Sequence, residues 1–112
     1  MTENDFRKLA LSLPDTEELS HMSHPDFRAR GKIFASLRSP SEGWGMVKLT
    51  PDQQEMFVRM APDVFQPAKG GWGRQGSTNV NLKNAKKKMT REALLVAWTN
   101  VTSPKGRGKA SR

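Results

Sequence analysis

The stretch Asp26-Phe27-Arg28-Ala29-Arg30-Gly31-Lys32-Ile33-Phe34-Ala35-Ser36-Leu37 decides the fold. Its first five residues alternate polar and apolar, the period-two pattern of a half-buried strand. Gly31-Lys32 interrupts, and Ile33 to Leu37 resumes an apolar run. Two short runs separated by a glycine-containing pair predict a β-hairpin. Ser39 to Gly43 is a run of turn formers, and Trp44 to Leu49 reads as a further strand. There Trp44, Met46 or Val47, and Leu49 are available to a core. Connections this short cannot join parallel neighbours, so the strands form an antiparallel meander.

Helical patterns flank the meander. Upstream, Thr2 is a cap with Asp5 in the third helical position, a variant of the capping box. Phe6, Leu9, Ala10 and Leu13 then recur at i, i+3, i+4, i+7, and Pro14 stops the run. A helix is expected over about residues 3–13. Downstream, Thr50-Pro51-Asp52-Gln53 combines a capping threonine, a proline at the first helical position and a capping-box glutamine. It predicts a helix over 51–60 that buries Met56, Phe57 and Met60, with Pro62 beyond its end. Val64 to Gln66 and Thr78 to Leu82 read as strands around a glycine-rich loop, Lys69 to Gly76. Thr90 is the expected cap of a last helix over about 91–102, with Leu94, Leu95, Trp98 and Val101 on one stripe. The fold class is α+β: an antiparallel sheet packed by helices on one face. Residues 1–103 form one domain, and 104–112, with four bases and no acid, form a disordered basic tail.

Charge is the most informative bulk property. The chain of 112 residues carries a net +8. Residues 1–63 hold eight bases and ten acids, whereas residues 64–112 hold eleven bases and only Glu92 as an acid. Such asymmetry points to a phosphate-rich partner, DNA or another polyanion. The chain has no cysteine, which excludes disulfides and thiolate metal sites. Its first residues are acidic and polar, and no apolar run approaches the ~18 residues of a membrane span. A cytoplasmic monomer without membrane association is expected.

Several stretches carry a resemblance. Phe6-Arg7…Leu13-Pro14, His24-Pro25-Asp26-Phe27-Arg28, Gly31-Lys32-Ile33-Phe34-Ala35, Lys48-Leu49, Phe65-Gln66-Pro67-Ala68 and Gly71-Trp72-Gly73 follow one another in this order. Together with a final strand and helix, this set resembles the MmcQ/YjbR family over about residues 3–103. The resemblance implies a compact α+β fold similar to frataxin-like topology. It also implies a double-wing module of the kind described as DNA-binding. It brings no established catalytic residues and no cofactor.

Lys83, Lys86, Lys87, Lys88 and Arg91 cluster around the start of the last helix, with Lys69 and Arg74 in the glycine-rich loop. Phosphates accept hydrogen bonds from such groups, and each neutralised phosphate releases counterions. A solvated polar face is the alternative. Trp72 beside Arg74 suits stacking on a base, although a tryptophan folded back onto the core is the commoner use of such a turn. No P-loop or dinucleotide fingerprint is present. A small phosphate-bearing ligand, held between the sheet and the glycine-rich loop, or a protein partner, is the second functional reading. His21 and His24 lack a third ligand at motif spacing, so no metal is expected. Ser20 and Ser23 lack a nucleophile's partners, and Glu17-Glu18 on a strand would face opposite ways. No enzymatic activity is expected.

Overall fold

The computed structural model describes residues 1–21 and 23–103 of the chain. The elements run α1 (Glu3–Leu11), β1 (Thr16–His21), β2 (His24–Ala29), β3 (Lys32–Leu37), β4 (Trp44–Lys48), α2 (Pro51–Met60), β5 (Phe65–Pro67), α3 (Gly70–Arg74), β6 (Ser77–Asn81) and α4 (Lys87–Thr102). The six strands make one antiparallel sheet in the order β1-β2-β3-β4-β6-β5. The expected α+β class is present. The decisive hairpin turns one residue earlier than its sequence pattern indicates. Arg30 and Gly31, with φ of 54° and 82°, form the tight turn that joins Ala29 to Lys32, because two positive-φ residues match the twist of paired strands.

Both capping boxes form. Thr2 Oγ1 accepts from the Asp5 amide while the Asp5 carboxylate accepts from the Thr2 amide, and Thr50 and Gln53 do the same at α2. One face of the sheet is apolar. Phe27, Ala35, Leu37, Val47, Val80 and Phe65 point into a core closed by α1, α2 and α4. The Phe6 ring of α1 lies on Gly45 and meets Phe27 edge-on at 6.1 Å, and Phe57 of α2 stacks obliquely on Phe65 at 5.1 Å. Burial of this aromatic and aliphatic face is the main stabilising term.

Four expectations are corrected. α1 ends at Leu11, two residues before 13, although Leu13 remains buried. Residues 16–21, for which no element was expected, form the edge strand β1, whose single large apolar residue, Leu19, is exposed. In α2 the buried positions are Phe57 and the capping Ala61, and Met56 and Met60 are half exposed. α4 starts one turn early: Lys86 is its N-cap, without a side-chain hydrogen bond, and Thr90 lies inside the helix, fully buried. Lys87, Lys88 and Met89 have good helix propensity and extend the helix past the residue best suited to cap it. The inward face of α4 is Ala93, Leu94 and Ala97, with Leu95 turned outward. Among the described residues no helix is long and apolar enough to cross a membrane. The basic tail expected at 104–112 lies outside the described residues.

Candidate functional site

The cations singled out by the sequence fall into two groups. Lys83, Lys86, Lys87, Lys88 and Arg91 surround the start of α4, and all five are exposed. None of them forms an ion pair among the described residues. On α4 itself, Lys87, Lys88 and Arg91 are three and four positions apart and share one side of the helix. One carboxylate that feels this group is that of Asp5 in α1. The Thr2 backbone and side chain hold the Asp5 carboxyl below its ordinary range, and the charge of Lys87 adds to the effect.

Lys69 and Arg74 bracket α3 at the opposite end of β6. Lys69 is the N-cap of α3, which leads into Ser77, whereas Lys83 follows Asn81. The five residues of β6, at about 3.3 Å each, set about 13 Å between the two groups. Lys69 and Arg74 therefore do not belong to the patch at the head of α4.

The glycine-rich segment is a short helix with a structural use for its glycines. A Cβ on Gly73 would run into the Ala68 carbonyl, and one on Gly76, at φ 113°, into the Leu49 carbonyl. The segment is thereby pressed against the start of α2. There a single carboxamide, that of Gln54, donates to both the Gly73 oxygen (3.0 Å) and the Ser77 oxygen (2.9 Å). Trp72, on the outer side, is not folded onto the core: it is 66% exposed.

Trp72 forms one wall of a groove on the sheet face opposite the core, with a volume of about 630 Å³. The floor is set by register. Asp26 pairs with Ser36, Ser36 with Met46, and Met46 with Asn79, so one residue from each of β2, β3, β4 and β6 forms a continuous row. At ~4.8 Å between strands the row is about 14 Å long. Ile33 extends the floor, Lys48 and Lys69 stand at the α3 end, and His24, Ser39 and Pro40 rim the other. Asn79 Oδ1 accepts from Ser39 Oγ at 3.2 Å. Asp26, 3% exposed, is gripped by Arg28 in a bidentate pair. This hydrogen bond, against a smaller opposing effect of desolvation, raises the Arg28 guanidinium further above its ordinary value.

Ser36, Met46 and Asn79 were not marked by any sequence motif, and Lys48 only by the Lys48-Leu49 pair of the resemblance. The signal was strand alternation: each is the polar or half-buried partner of an inward residue, and only the register brings them together. The backbone register also pairs His21 with His24 across the β1–β2 turn. Among the described residues no group of three or more His, Asp or Glu is arranged to hold a metal ion.

Comparison with solved structures finds the same fold in the crystal structure of Deinococcus radiodurans protein DR2400, which carries domain DUF419. The TM-score is 0.75 at 17% identity, covering 92% of this chain and 80% of that one. No curated protein matches the sequence. The family model YjbR matches residues 11–100. This span holds β1 through most of α4 and the whole groove, and the chain belongs to the YjbR family.

Proposed function

We propose that this chain is a nucleic-acid-binding module rather than an enzyme, a cytoplasmic monomer that holds duplex DNA by its phosphates through the head of α4. The observation that carries the reading is the set Lys83, Lys86, Lys87, Lys88 and Arg91, all exposed and without an ion pair among the described residues. Three of these cations sit at the N-cap and first two positions of a 16-residue helix with no acid in its first turn. The macrodipole disfavours positive charge there, by about 0.3–1 kcal/mol per group. A placement that weakens the helix while concentrating positive potential, to which the helix's own N–H groups add, suits an anionic ligand. The family resemblance to double-wing modules agrees with this reading.

Binding of this kind is read in its salt dependence. With three to five phosphates neutralised, log K falls against log salt with a slope of about −3 to −4.5. Fluorescence anisotropy of a labelled duplex over a salt series measures it. The Lys86→Glu/Lys87→Glu/Lys88→Glu variant, with unchanged circular dichroism, lowers affinity and flattens the slope. A duplex that fails to bind micromolar wild-type protein at low salt overturns the proposal.

A further inference from the structure

We propose that the groove on the open sheet face is a separate binding site for a small ligand made of a planar heteroaromatic ring and one phosphate, a nucleoside 5′-monophosphate in size and charge. Trp72 presents the largest exposed apolar surface among the described residues and does so on the wall of a concavity. An indole left in water beside a cavity gains most from a flat partner that stacks on it and displaces that water. Met46 and Ile33 line the same groove and add soft, apolar surface of the kind that accepts a ring edge. The volume of about 630 Å³ lies within the range of sites that hold metabolite-sized molecules.

The polar groups are graded along the groove. Lys48 and Ser77 are cross-strand partners at the α3 end, and Lys69 follows Ala68, whose amide bonds the Ser77 carbonyl. Lys48 and Lys69 both line the groove near α3, and neither has an ion-pair partner among the described residues. They suit a phosphate as point charges. The carboxylate in the floor, Asp26, does not repel that phosphate outright, because Arg28 neutralises it on the same strand. Ser36 and Asn79, in the central row, supply the donors and acceptors that read ring edges or sugar hydroxyls. Cation pair, exposed indole and polar row line one concavity, and a mononucleotide offers a phosphate, a flat base and sugar hydroxyls to match them. The groove does not involve the lysines at the head of α4, so this inference does not rest on the DNA-binding proposal.

The test is tryptophan fluorescence of the full chain, titrated with each of the four common nucleoside 5′-monophosphates. Adenosine and ribose 5-phosphate serve as ring-only and phosphate-only controls. Saturable quenching is expected with at least one mononucleotide, with both controls at least about tenfold weaker. Trp72→Phe removes the quench but retains binding seen by calorimetry, and Lys69→Ala weakens binding with no change in unfolding midpoint. Lys86→Glu/Lys87→Glu/Lys88→Glu leaves the titration unchanged. No saturable response to any of the four mononucleotides, equal response to adenosine, or quenching by an oligonucleotide alone overturns the proposal.

Discussion

Arg28 holds Asp26, two residues upstream on the same strand, with both arms of its guanidinium: Nε to Oδ1 at 2.9 Å and Nη2 to Oδ2 at 3.2 Å. The two positions lie two residues apart on β2 and so on the same side of the strand, within reach of a bidentate pair. The result is a neutral patch in the groove floor made from two charged residues.

Breaking one half of that pair is more harmful than removing both. Arg28→Leu strands a buried carboxylate, whereas Asp26→Leu/Arg28→Leu replaces the pair by apolar surface. In urea titrations the single variant unfolds at lower denaturant than the double variant.

Thr90 is fully buried in α4, and its hydroxyl has no hydrogen-bond partner among the described residues. Thr90→Val keeps the shape and removes an unsatisfied polar group, so stability rises by about 1 kcal/mol. Had Thr90 been the cap, the same change would cost about 1 kcal/mol. The sign of the shift in thermal unfolding separates the two roles.

Gly76 has a backbone that other residues rarely adopt and no room for a side chain beside Leu49. Gly76→Ala destabilises by about 3 kcal/mol or more, from strained φ and displaced backbone together. Differential scanning calorimetry reads the loss, and α3 shifts enough to raise the exposure of Trp72 to acrylamide quenching.

The Asp5 carboxyl is held below its ordinary range by the Thr2 amide and hydroxyl. A depressed folded-state value means a contribution to stability that is complete above the unfolded value and lost as pH falls through the folded one. Asp5→Asn therefore lowers the unfolding midpoint at neutral pH, and its difference from the wild type shrinks below pH about 4.

Local chemistry was legible in the sequence, and non-local chemistry was not. Thr2 with Asp5 and Thr50 with Gln53 interact across three residues, so their capping boxes can be read directly. The pairing of β2 with β3 is equally local, and only the turn position moved. α3 was hidden because Gly70, Gly71 and Gly73 each disfavour a helix by about 1 kcal/mol; it is held by contacts from Ala68 and Gln54 that no window reveals. β1 was hidden for a different reason: as an edge strand it has little to bury, so Thr16-Glu17-Glu18-Leu19-Ser20-His21 shows no alternation. The groove required the register of Asp26, Ser36, Met46 and Asn79, the first and last of which stand 53 positions apart in sequence. Charge was legible as quantity and not as position, since β6 carries Lys69 and Lys83 to its two ends.

The carboxamide of Gln54 reaches two carbonyls on either side of a glycine turn, one from α3 and one from β6. The backbone of α3 therefore cannot move away from β6 without releasing a bond that also fastens the second helix. Amide protons at the head of β6 and in the middle of α2 then share one opening event, and hydrogen exchange would report them as a single cooperative unit.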